Sequence, residues 1–185
     1  MILPIYVYGT GILREKARNV DVEKEEGLQQ LIADMFETMK NADGVGLAAP
    51  QIGKSLRLVV VDGSDLADDM PELKDFRRTL INPEVVYRSE ETAEYSEGCL
   101  SVPNVHADVT RPKEIRVKYL DEKYEEVEET FTGFGCRMVE HELDHLDGYM
   151  FVDRVSQIRK KMLQSRLNGI ASGKVRTHYK VVKNR

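Results

Sequence analysis

The stretch EIRVKYLDEKYEEVEETFTGFGCRMVEHELDHLDG, residues 114–148, changes its period midway. Its first part alternates, with Ile115, Val117 and Tyr119 on one side and Arg116 and Lys118 on the other. That is the period of a half-buried strand. Asp121, Glu122 and Lys123 then supply turn chemistry and the alternation resumes, so the segment predicts two strands joined as a hairpin. From Phe134 the spacing becomes helical and runs to Gly148, a helix terminator. A hairpin that feeds directly into a helix is not the regular strand–helix–strand order of a doubly wound parallel sheet.

The rest of the chain agrees. Leu28, Leu31, Ile32, Met35, Phe36 and Met39 recur at helical intervals and make one apolar stripe. They predict a helix over about 22–41 that stops at the turn residues Asn41, Asp43 and Gly44. LRLVVVD (56–62) reads as a largely buried strand. LINPEVVYRS (80–89) is extended but broken by Pro83, which places it at a sheet edge or divides it into two short strands. Ser156 is an N-cap for a last helix expected to end at Gly169. Strands outnumber helices and do not alternate regularly with them. The expected fold is α+β: mostly antiparallel β-sheets packed around a central metal-binding helix, with an N-terminal and a C-terminal helix.

A length of 185 residues suits a single domain, 1–185, able to bury its own core. No apolar run approaches the roughly 20 residues of a membrane span. The first twenty residues lack a basic region before their short apolar stretch, so a cytoplasmic protein without membrane attachment is expected. Cys99 and Cys136 are expected to be reduced, and two thiols are too few for an all-cysteine metal site. The net charge of −5 argues against DNA as a partner of the whole domain. The charge is uneven: Arg154–Arg185 holds ten Lys and Arg and no Asp or Glu. The plain reading is a solvated face followed by a flexible basic tail from about 170. The sharper one is an electrostatic docking element for a polyanion.

Within the predicted helix, HELDH (141–145) places two histidines four residues apart. On a helix they are separated by about 40° and roughly 6 Å of rise, so both imidazoles can converge on one ion. Glu142 is displaced around the helix and is better placed to hold a water than to be a ligand. Asp144 suits either the orientation of a ligand histidine or an exposed face. Two histidines do not complete a coordination sphere. No glutamate follows Glu142, and Phe151 stands where a third histidine of one metallopeptidase pattern would fall. His178 lies in the basic tail. Asp153, His106 and Cys99 remain. Cys99 sits in EYSEGCLSVP (94–103), an extended segment where Gly98 permits close backbone approach. A thiolate is a strong ligand for zinc or ferrous iron. Cys136, between Gly135 and Arg137, better suits a small buried apolar residue.

Three motifs in order, GVGLAAPQIG (44–53), EGCLS (97–101) and HELDH (141–145), resemble the signature of the peptide deformylases. The resemblance covers nearly the whole chain, with the last fifteen residues least constrained. It implies an α+β hydrolase that removes the formyl group from the initiator methionine of nascent polypeptides and releases formate. By position it implies Cys99, His141 and His145 as metal ligands, with water completing a tetrahedron. Fe2+ is the expected metal, and Zn2+, Ni2+ or Co2+ its substitutes. The metal-bound water would attack the formyl carbon. Glu142 would act as general base and then acid, and Gln51 and the Leu100 N–H would stabilise the oxyanion. Gly46 matches a position whose backbone pairs with substrate. Val45, Glu97, Phe134 and Met138, with the His141 ring, match the binding region around the methionine side chain. Two positions depart from the common pattern. Glu140 stands where many members have glutamine, and where some have a peptide-holding arginine this chain offers His106 nearby or Arg111 further on. The basic C-terminal segment adds an expectation of ribosome association, near the site where the substrate emerges.

Overall fold

The computed structural model describes residues 1–184; Arg185, the last residue of the basic stretch, lies outside them. In chain order the elements are β1 (Ile5–Tyr6), α1 (Leu28–Asn41), β2 (Gly46–Ala48) and β3 (Leu58–Asp62). β4 (Arg77–Arg88), β5 (Thr92–Cys99), β6 (Val102–Pro112), β7 (Glu114–Leu120) and β8 (Glu126–Thr132) follow. α2 (Gly133–Leu146), α3 (Gln157–Ala171) and β9 (Val181–Val182) complete the chain. The main sheet is antiparallel in the order β2-β3-β4-β7-β8, and β5-β6 form a separate antiparallel hairpin. β1 and β9 pair in parallel. The α+β expectation is met.

β3 shows why its sequence does not alternate. Leu58 and Val60 face the α1 cluster with Ile32, Met35 and Met39, whereas Val59 and Val61 face the α2 cluster with Met138 and Val139. A strand buried on both faces needs an apolar residue at every position. β5-β6 pack instead with α3 and the 3-10 turn Phe151–Asp153, through Val105, Ala107, Val109, Leu163 and Leu167. α2 thus runs between two sheet systems, and Gly135–Glu142, His145 and Leu146 are all buried.

Three expectations are corrected. α1 begins at Leu28, not near 22, because the apolar stripe starts there and Gly27 just before it is left-handed, at φ 72°. Pro83 lies in an interior strand of twelve residues, not at an edge. It is tolerated because β3 pairs only as far as Ile81 and the β4-β7 ladder shifts register between Ile81 and Glu84. Gly169 is inside α3, which ends two residues later with left-handed Gly173 beyond it. Beyond α3, residues 172–184 contact the rest of the domain. Val175 and Val181 pack on the α3 cluster, Tyr179 packs on the α1 cluster, and β9 pairs with β1. Ser156 does cap α3, its Oγ accepting from the Arg159 N–H at 3.2 Å. α2 stops just before Gly148, as expected.

Candidate metal centre and active site

Three donor atoms converge where α2 meets the end of the β5-β6 hairpin. One atom each from Cys99, His141 and His145 lie within 4.8 Å of one another. The i, i+4 spacing aims both rings the same way, and Cys99 Sγ is 3.4 Å from His145 Nε2. A tetrahedral ion with bonds of about 2.3 Å to sulfur and about 2.05 Å to nitrogen has an S···N edge of roughly 3.5 Å. The geometry therefore fits a cation, and a thiolate with two imidazoles is a donor set suited to zinc or ferrous iron.

His141 is oriented from behind. Its Nδ1 donates to Glu97 Oε1 at 2.8 Å, which leaves Nε2 for the site. Glu97 also accepts from Arg111 Nε at 2.8 Å, Arg111 Nη2 at 3.0 Å and Arg137 Nη1 at 2.7 Å. Burial opposes its ionisation, but the bonds from His141 and Arg111 outweigh that and hold the carboxyl well below the usual range. Burial disfavours charge on His141, yet its contacts with Cys99 and Glu97 and the charge of Glu142 keep it well above the ordinary histidine value. His145 is pushed well below that value by burial and by the charge of His141.

Glu142 is 5 % exposed, and its Oε2 is buried with no hydrogen-bond partner among the described residues. Its Oε1 lies 3.8 Å from His141 Nε2. Burial, reinforced by the charge of Glu97 and opposed by His141 and Arg111, pushes its carboxyl up to about 7. An unpartnered carboxylate with such a value is suited to exchange protons near neutrality. Gly46 makes room for it, since a Cβ there would lie 2.7 Å from Glu142 Oε1. Gln51, on the 3-10 turn Ala49–Ile52, is held by the Ala48 N–H at its Oε1. Its Nε2 points at Ser101 Oγ (3.0 Å) and Cys99 Sγ (3.6 Å).

A cleft of about 730 Å³ opens over these groups, lined by Val45, Gly46, Leu100, Phe134, Met138 and His141 among others. Glu97 is among the residues lining the cleft, and its carboxylate is engaged by His141, Arg111 and Arg137. Arg111 is withdrawn from any peptide-holding role, being 6 % exposed and bonded to Glu97 and Asp144. Asp144 therefore holds Arg111 and Arg154, not a histidine. His106 remains exposed on the rim. Asp153 is removed from the ligand candidates by its ion pairs with Arg14 and Lys160, and exposed His178 contacts Asp43 and the Asn41 carbonyl. Glu140 points away from the donors and accepts from the Cys136 thiol at 2.8 Å, while Cys136 is buried and unpaired by disulfide.

Sequence reasoning missed Ser101 and the Arg111–Glu97–Arg137 cluster. A signal existed: Arg111 continues the inward-facing series Val105, Ala107, Val109 of β6, where an arginine requires a buried partner.

A buried helix presenting two histidines, a cysteine from a neighbouring hairpin and a buried carboxylate are the donor set and proton acceptor suited to a metallohydrolase. The polypeptide deformylase family pattern matches residues 2–161. A peptide deformylase of Salinibacter ruber is 47% identical over 98% of this chain and 95% of its own length. One of Christiangramia forsetii is 40% identical with the same coverage. The crystal structure of a peptide deformylase from Legionella pneumophila superposes with a TM-score of 0.81 at 38% identity, covering 96% of this chain and 99% of that one. The chain belongs to the polypeptide deformylase family, metal-dependent hydrolases that act on formylated nascent peptides.

Proposed function

We propose that the chain removes the formyl group from N-formyl-methionyl nascent peptides with the residues gathered around Cys99, and that it works in the cytoplasm. Cys99, His141 and His145 hold one divalent ion, Fe2+ in the cell, with Zn2+, Ni2+ and Co2+ as substitutes. Bound there, the ion supplies Lewis acidity that makes hydroxide available near neutral pH. Glu142 takes the proton of the attacking water and returns it to the leaving amine. Gln51 Nε2 and the Leu100 N–H donate to the formyl oxygen as it gains charge. Released formate and a free methionyl amine are the products.

β2 is the outer strand of the main sheet and borders the cleft, so an extended peptide can add to its free edge at Gly46. Val45, Phe134 and Met138 then offer an apolar wall to the methionine side chain. His106, on the opposite rim, is the remaining candidate for a grip on the peptide. The observation that carries the reading is the pairing of a Cys–His–His donor set with a buried carboxylate whose second oxygen has no partner among the described residues.

The test is formate release from formyl-Met-Ala by the ferrous protein under anaerobic conditions. Metal-dependent formate is expected. Cleavage of acetyl-Met or unblocked peptides without formate would overturn it. The basic C-terminal segment, including Arg159, Lys160, Lys161 and Arg166, supports docking on the ribosome; co-sedimentation that weakens with salt is expected, and salt-insensitive or absent co-sedimentation removes the idea.

A further inference from the structure

Cys99 pairs with Val102, so Leu100 and Ser101 form a two-residue hairpin turn directly after a metal-site residue. Such turns favour positive φ, supplied by glycine or asparagine. Neither Leu100 nor Ser101 is glycine or has positive φ, and the ladder shifts register between Gly98 and Cys99. The turn therefore carries no glycine or asparagine of its own to set its shape, and other segments bond to it.

Four hydrogen bonds from other segments hold the turn. The Ser101 carbonyl accepts from the Tyr8 N–H at 2.8 Å. Ser101 Oγ donates to the Tyr6 carbonyl at 2.6 Å and accepts from Gln51. The remaining carbonyl, that of Leu100, accepts from the Tyr179 hydroxyl at 2.7 Å. Tyr179 lies beyond residue 161, where the family match ends. Its segment crosses the end of the cleft: the Asn104 side chain donates to the Arg176 carbonyl at 3.5 Å, and His178 reaches Asp43 on the opposite side. β9, just after it, fastens the segment to β1, the strand that also holds Ser101.

We propose that Tyr179 is a positioning residue for deformylation: its hydroxyl fixes the Leu100–Ser101 turn and so the placement of Cys99 Sγ and the Leu100 N–H relative to the substrate. This rests on the function proposed above. The C-terminal segment is then a working part of the cleft, and only its phenol oxygen is needed for the effect.

Tyr179→Phe keeps the ring packing and removes that oxygen. One lost hydrogen bond in a positioned turn predicts a fall in kcat of about five- to tenfold. KM should stay within about twofold, and metal content and thermal midpoint should match the parent. In the same sample, amide exchange at Ser101 should accelerate. Parent-like kcat with parent-like Ser101 exchange overturns the proposal, as does a loss carried entirely by metal content or thermal stability. If the parent itself releases no formate, the functional reading fails, while faster or unchanged Ser101 exchange still decides whether Tyr179 holds the turn.

Discussion

Glu97→Ala removes the acceptor of four short bonds, two from Arg111 and one each from Arg137 and His141. Arg111 and Arg137 are 6 % and 4 % exposed, so neither guanidinium can recover water without unpacking the site. Arg111 keeps Asp144 as a partner, whereas Arg137 keeps the carbonyls of Val109 and Ala93 and the Tyr95 ring but no carboxylate among the described residues. Leaving a buried charge without its partner costs about 3–5 kcal/mol. A domain of this size has roughly 5–15 kcal/mol in total. At about 2–4 °C per kcal/mol the thermal midpoint should fall by roughly 6–20 °C. Glu97→Gln keeps an oxygen for His141 but loses the charge, so a smaller fall is expected, with metal affinity reduced about 10–100-fold through the loosened ring. Urea unfolding of the metal-loaded proteins, with competitive metal titration, measures both. A Glu97→Ala variant within about 1 kcal/mol of the parent would refute the reasoning, because the arginines would then not depend on this carboxylate.

Gly46→Ala should retain metal yet lose at least about tenfold in kcat, since its methyl group would displace Glu142 from 2.7 Å away; steady-state kinetics with metal analysis checks it. Asp153 is half-buried, which opposes its charge, but Arg14 and the Met150 N–H outweigh this and hold it below the usual carboxylate value. Its folded value being depressed, its contribution is complete above the unfolded value of about 4 and is lost as pH falls through the folded one. Asp153→Asn should therefore destabilise the protein at pH 7, and the gap in denaturant midpoint should close towards pH 3; a gap independent of pH would contradict this. Stripping the metal with a chelator should abolish formate release and lower the thermal midpoint, with both restored by Fe2+ or Zn2+, because an ion bound only by the folded chain stabilises it.

The elements with one dominant pattern were legible in the sequence: the α1 stripe, the β7-β8 alternation and the helical spacing of α2. The β5-β6 hairpin was not read, although it carries Cys99, because β5 is mostly exposed and shows little apolar alternation. Pro83 misled for a physical reason. A proline excludes a strand from a sheet interior only where its missing N–H breaks a ladder, and β3 has already ended there. At the site, the convergence of His141 and His145 follows from helix geometry alone, whereas the placement of Cys99 beside them, with Asp153 and His106 elsewhere, needed the fold. The charged shell behind His141 depends on residues 97, 111 and 137 meeting in space, which local periodicity does not encode. The same holds for Tyr179 and Leu100, 79 residues apart.

Holding the ion and moving the proton fall to different residues, and Glu142→Ala separates the two. The variant, loaded with one equivalent of Fe2+ or Zn2+ and assayed on formyl-Met-Ala, is predicted to keep the ion on Cys99, His141 and His145 while releasing essentially no formate. Loss of the ion together with activity would make Glu142 a structural part of the metal centre, and retained turnover would remove it from the chemistry altogether.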